Sequence, residues 1–154
     1  MQMSRVCMGG TFDILHVGHR NLLIRASEEG DEVLIGLTTD VRAKQSRKSE
    51  VLNSYEIRKE NLEYYLASEG LLEKFIIVPL NNDWGPSVVD EDFDAIVVSE
   101  ETKKTADKIN SIRVSEGKNK LDVVVVPLVL ADDGQTISSS RIRKQEIDAK
   151  GKLT

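Results

Sequence analysis

Short continuous apolar runs alternate along this chain with longer stretches whose apolar residues recur at helical spacing. Residues 5–9, 33–37, 75–80, 95–98 and 123–128 are runs of the first kind. They read as strands, and 33–37, which lacks the alternation of a sheet with one wet face, reads as one buried on both sides. Residues 17–29, 54–68, 102–116 and 138–149 read as helices. Gly30 and Gly117 stand where helix stops are expected, and Ser54 is placed to cap the second helix. In that helix Ile57, Leu62, Tyr65 and Leu66 fall near one face. Residues 42–50 carry Arg42, Lys44, Arg47 and Lys48 among few apolar residues and read as a loop or short helix. Residues 81–92 read as a loop, 132–134 as a turn, and 149–154 as a frayed tail. Strands spaced by helices imply βαβ units with right-handed crossovers. The expected fold is a single α/β domain over residues 1–154, with a five-stranded parallel sheet and helices on both faces.

In such sheets ligands bind beyond the carboxyl ends of the strands, where the strand order reverses. Residues 9–19, Gly-Gly-Thr-Phe-Asp-Ile-Leu-His-Val-Gly-His, fall on that edge, just after the first strand. A glycine turn between strand and helix brings backbone N–H groups near phosphate oxygens. Gly18 leaves room for a nucleotide against the backbone. His16 and His19 add side-chain donors, and they are the only 2 histidines of the chain. Ser99 follows the fourth strand and Ser138 follows the fifth, on the same edge. Ser138, Ser139 and Ser140 at a helix start offer hydroxyls and the positive helix end to a polyphosphate, with Arg143 one turn further in. Nothing resembles a Ser-His-Asp, Cys-His or metalloprotease pattern. Donors and cations without a nucleophile suit phosphoryl chemistry, where positioning and charge neutralisation do the work.

Composition narrows the class further. The chain has 154 residues, 40% apolar and 31% charged, as an ordinary soluble domain has. Its net charge of −5 argues against a nucleic-acid partner. Cys7 is alone, excluding an intrachain disulfide, and reads as a small buried hydrophobe. No apolar run approaches the ~20 residues of a membrane span. The first strand follows Met1-Gln2-Met3-Ser4 directly, leaving no room for a signal peptide, so a cytoplasmic protein is expected.

The run from Gly9 to His19 resembles the motif of the HxGH nucleotidyltransferases, with His16, Gly18 and His19 at the motif positions. Ile137 to Arg143 resembles a second element of that superfamily, Ile-Ser-Ser-Thr-x-Ile-Arg, with Ser140 where threonine is commoner. Val98-Ser99-Glu100-Glu101-Thr102 resembles an element of the archaeal phosphopantetheine adenylyltransferases and of the matching domain of coenzyme A synthase. Trp84-Gly85-Pro86, Asn110 and Arg113 continue the similarity, which spans residues 4–148.

The resemblance implies a Rossmann-like fold and transfer of the adenylyl group of ATP to 4′-phosphopantetheine, with Mg²⁺ carried on the ATP. It assigns His16 and His19 to the triphosphate and transition state, and Lys44 to the acceptor phosphate and α-phosphate. Arg42, Arg47 and Lys48 are rivals of Lys44. Gly9, Gly10, Thr11, Phe12, Gly18, Ser99, Glu100 and the 138–143 element are expected at the ATP. Thr11, Asn82 and Trp84 are expected with Lys44 at the acceptor. Val98, Pro127 and Val129 are expected to wall the adenine, and Asp13 to brace the turn. The alternatives are an FAD synthetase or glycerol-phosphate cytidylyltransferase of the same fold, or a non-catalytic adenine-nucleotide sensor.

Overall fold

Val33, Leu34, Ile35 and Leu37 are all buried, although neighbours along a strand point to opposite faces of a sheet. A strand with that pattern must be covered on both sides, and it is. The computed structural model describes residues 4–46, 52–81, 92–135, 137, 142 and 147–153. The described strands are β1 (Arg5–Gly10), β2 (Glu32–Thr38), β3 (Phe75–Leu80), β4 (Ala95–Ser99) and β5 (Asp122–Val126). The described helices are α1 (Val17–Glu29), α2 (Asp40–Ser46), α3 (Tyr55–Ser68) and α4 (Lys103–Ser115), with a 3₁₀ turn at Leu72–Lys74.

The five strands form one parallel sheet in the order β3-β2-β1-β4-β5. Val6, Met8, Val33, Ile35, Leu37 and Val97 pack on one face against Leu23 and Ala26 of α1 and Leu62 and Leu66 of α3. Cys7, Leu34, Ile96 and Val98 pack on the other against Ala106 and Ile109 of α4. Successive residues of β1 and β4 thus divide between two cores, as the two-residue period demands. Burial pushes the Cys7 thiol up to about 12, so it remains an inert part of the second core. No helix among the described residues is long and apolar enough to cross a membrane.

Several expectations are corrected. Of the two readings of 42–50, the short helix holds for its described part: α2 runs through residue 46 and carries Lys44 in its last turn. In α3, Ser54 caps as expected, accepting from Ile57 N at 3.3 Å. Ile57, however, is 47% exposed, and Arg58 takes the buried position beside Leu62 and Leu66. β5 ends at Val126, opposite Ser99, the last residue of its one partner β4.

Residues 147–153 neither continue a helix nor fray. Ile147 is buried and bridges Leu153 in antiparallel fashion. Gly151 takes the left-handed φ of +85° that the return turn needs, and a Cβ there would stand 2.6 Å from Ile137 Cδ1. Asp148 Oδ1 accepts from Lys150 N and Lys152 N, both at 2.9 Å, and these bonds hold its carboxyl below the usual range. Ala149 O accepts from Val17 N at 3.1 Å, which docks this segment on the start of α1.

Candidate active site

The strand order places β1 at the centre, with β2 and β3 to one side and β4 and β5 to the other. The order reverses between β1 and β4, and a cleft of about 270 Å³ opens there at the carboxyl ends. Gly9 to Asp13 line it from β1, Ser99, Glu101 and Thr102 from β4, and Val126 to Val129 from β5. His16, Gly18, His19 and Leu22 line it from the start of α1, and Ile137 from the C-terminal segment.

His16 is the N-cap of α1, with extended backbone (φ −135°, ψ 177°). Its Nδ1 accepts from Gly18 N at 3.1 Å and His19 N at 3.4 Å. Because Nδ1 accepts, the proton of the neutral ring belongs on Nε2. Burial lowers the His16 pKa from 6.5 to about 4, so the ring is neutral near pH 7. It stacks on the His19 ring at 3.8 Å with 18° between planes, and His19 meets Phe12 at 4.9 Å. A Cβ at position 18 would come within 2.9 Å of His16 Cε1, so glycine there preserves the cap itself.

Val17 N, Gly18 N and His19 N are thus all taken, by Ala149 O and by His16 Nδ1. The first turn of α1 offers an anion its dipole and the histidine rings rather than these three amides. The Gly9–Asp13 turn is built with comparable care. Phe12 is buried at a left-handed φ of 47°, and a Cβ on Gly10 would lie 2.8 Å from its ring. Asp13 braces the turn as expected: its Oδ1 accepts from Asn53 N at 2.8 Å, and its carbonyl accepts from Asn53 Nδ2 at 3.3 Å. Thr11 Oγ1 lies 3.4 Å from Thr38 Oγ1. On the β4 side, Thr102 Oγ1 accepts from Ser99 N at 3.1 Å and ties the Ser99–Thr102 turn.

The structure therefore brings together Gly9, Gly10, Thr11, Phe12, His16, Gly18, His19, Ser99, Pro127 and Val129. Lys44 is exposed on α2 and is not among the lining residues. Glu100 is exposed at the turn, and Glu101 faces the cleft instead. Val98 belongs to the opposite core with Ala106 and Ile109, so it does not wall the cleft. Asn110 and Arg113 are buried on α4 and serve the fold. Asn110 donates to Leu121 O at 3.0 Å and accepts from Leu121 N at 2.7 Å, while Arg113 Nε donates to Asn119 O at 2.8 Å. Asn82, Trp84, Arg47, Lys48, Ser138, Ser139, Ser140 and Arg143 lie outside the described residues.

Two contributions escaped the sequence reading. Leu128 lines the cleft with no motif to mark it. Arg58 lies behind the Thr11 turn and holds its carbonyl at 3.0 Å. Its signal was available: positions 58, 62, 65 and 66 share one helical stripe.

Residues 7–145 match the family model described as cytidylyltransferase-like. A phosphopantetheine adenylyltransferase of Methanosarcina acetivorans is 48% identical over 154 residues, covering 98% of this chain and 96% of the relative. Another, of Methanothermobacter thermautotrophicus, is 43% identical over 150 residues, covering 97% of this chain and 89% of the relative. Among solved structures, that of a protein with unknown function from Archaeoglobus fulgidus is similar at a TM-score of 0.71 and 37% identity, covering 79% of this chain and 88% of that one.

Proposed function

This chain belongs to the cytidylyltransferase-like family, and we propose that it acts as a phosphopantetheine adenylyltransferase. It transfers the adenylyl group of ATP to 4′-phosphopantetheine, giving dephospho-coenzyme A and pyrophosphate. The whole activity is assigned to one domain of a cytoplasmic protein. The observation that carries the site assignment is the stacked His16–His19 pair beside Gly18, lining with the Thr11 turn the cleft at the β1–β4 reversal.

An ionised oxygen of the acceptor phosphate attacks the α-phosphorus of ATP. The bond from that phosphorus to the bridging oxygen breaks, and pyrophosphate leaves with the electron pair. The nucleophile needs no general base, so the protein's work is alignment and charge stabilisation. Neutral His16 acts by holding the His19 backbone and ring and by presenting Nε2–H. His19 then carries the larger share of stabilisation at the α-phosphate. Thr11 and Lys44 orient the acceptor phosphate. Ser138, Ser139, Ser140 and Arg143 hold the β- and γ-phosphates.

Gly9, Gly10 and Phe12 shape the phosphate floor, and Gly18 admits the nucleotide close to the backbone. Pro127, Leu128 and Val129 wall the adenine, while Ser99 and Glu101 of the same turn attend the nucleoside. Asn82 and Trp84 border the uncharged arm of the acceptor. Among the described residues no three His, Cys, Asp or Glu side chains group to hold a metal ion. Mg²⁺ would arrive on the ATP phosphates and supply charge neutralisation there.

Pyrophosphate release by the purified protein tests the reading. ATP with phosphopantetheine should give the highest kcat/KM. A higher value with CTP, or with FMN or glycerol phosphate as acceptor, would overturn the substrate assignment and leave nucleotidyl transfer standing.

A further inference from the structure

Among the described residues the largest fully buried side chains are two cations, Arg58 and Arg113, and Arg58 has 0% of its surface exposed. Its guanidinium reaches four acceptors. Nε donates to Asn53 O at 2.9 Å, Nη1 to Thr11 O at 3.0 Å and Thr38 O at 2.7 Å, and Nη2 to Asp40 Oδ1 at 3.0 Å. Burying a charge is expensive, and an apolar side chain of similar volume often stabilises a core at least as well. Stability alone is therefore a weak reason for arginine here. What the guanidinium adds is a rigid fork with fixed donor directions.

The acceptors show what the fork fixes. β1 and β2 pair in register as far as Gly10 and Leu37, and there their ladder stops. Thr11 and Thr38 are the next residues of the two chains. Arg58 Nη1 bridges both their carbonyls, so it carries the pairing one step beyond the ladder, at the mouth of the cleft. From there the chains part, one into the left-handed turn at Phe12 and the other into α2. Nη2 holds Asp40, the first residue of α2, and the same Asp40 oxygen accepts from Tyr55 N at 2.8 Å at the start of α3. One side chain thereby sets the spacing between the Thr11 turn and the helix that carries Lys44.

We propose that Arg58 is a positioning residue for the acceptor half of the cleft, holding Thr11 and α2 in the arrangement that receives the acceptor's phosphate. The inference rests on the assignment of Thr11 and Lys44 to the acceptor. Arg58 itself, without exposed surface, touches no substrate. The His16–His19 side carries its own cap, and Arg58 reaches it only through Phe12 of the Thr11 turn against the His19 ring.

Arg58→Lys keeps the charge but replaces the fork with a single ammonium. Wild type and variant are compared by thermal melting, by ATP titration without acceptor, and by KM and kcat for ATP and phosphopantetheine. Displacement of the Thr11 turn by about 1 Å should lower kcat/KM for phosphopantetheine on the order of 10²-fold and raise its KM, with the ATP Kd within roughly twofold. A merely structural role would reduce the active fraction and leave both KM values in place. Near-wild-type kcat/KM for the acceptor, or equal losses of ATP binding and acceptor use, would overturn the proposal.

If Arg58→Lys does not fold, Asp40→Ala carries the test, since the Asp40 side chain is 49% exposed and its loss frees α2 from Arg58 and Tyr55 N while the Thr11 and Thr38 bonds remain. A severalfold rise in acceptor KM with unchanged ATP Kd supports the proposal, and a wild-type acceptor KM refutes it. A wild-type protein that does not turn over phosphopantetheine overturns the functional reading and this inference with it. Wild-type turnover with an unimpaired Arg58→Lys overturns this inference alone.

Discussion

Replacing His16 by asparagine removes a titrating helix cap and leaves one that does not titrate. In the folded protein His16 Nδ1 accepts from Gly18 N and His19 N, and burial holds its pKa near 4 against an ordinary 6.5. As the pH falls through that interval, the unfolded chain takes up a proton at His16 and the folded protein does not. Proton uptake by the unfolded chain favours unfolding. The contribution of this group is therefore complete above about pH 6.5 and is lost progressively as the pH falls towards about 4. At about 1.4 kcal/mol per pKa unit the whole interval is worth about 3 kcal/mol at most, and about 2 kcal/mol of it disappears between about pH 7 and pH 5. Asparagine is among the best N-caps and accepts from the same class of amide. Urea unfolding of both proteins at the two pH values isolates the term, because other titrating groups are common to both. The wild type should lose about 2 kcal/mol more than His16→Asn across the interval. Equal losses would mean that His16 titrates alike folded and unfolded, and would refute the neutral buried cap.

Three further outcomes are expected. His19→Ala should lower kcat on the order of 10²–10³-fold with little change in ATP Kd, read by pyrophosphate release and nucleotide titration; near-normal turnover would remove His19 from the mechanism. Lys44→Ala should raise the acceptor KM by roughly tenfold while Lys48→Ala stays mild, and equal effects would point to a diffuse basic field. Asn110→Ala should cost about 2–4 kcal/mol in urea unfolding, because Leu121 N–H and C=O lose their buried partner, with kcat per folded molecule unchanged; a selective loss of activity would return Asn110 to the site.

The chain's own pattern determined the elements and the chemistry of the motif. The continuous apolar run at 33–37 called for a strand covered on both faces, and the two cores that divide Val33 and Ile35 from Leu34 bear this out, whereas the edge strands β3 and β5 leave Ile76 46% and Val125 37% exposed. The Gly9–His19 run marked the turn that lines the cleft, because backbone geometry and donor type are local properties. Which neighbour covers which residue is not local. Asn110 and Arg113 share a helix face, but only packing against the 119–121 segment made that face interior. Ile57 and Arg58 are adjacent, and it was the placement of Thr11, Thr38 and Asp40 around α3 that turned the arginine inward and left the isoleucine 47% exposed. Residues 147–153 gain their order from Val17 and Asp132, which the chain brings near from more than a dozen positions away. Tertiary structure alone decided the order β3-β2-β1-β4-β5, and with it the position of the cleft. Periodicity states how a segment is buried, whereas strand order depends on which crossovers bury the most apolar surface together.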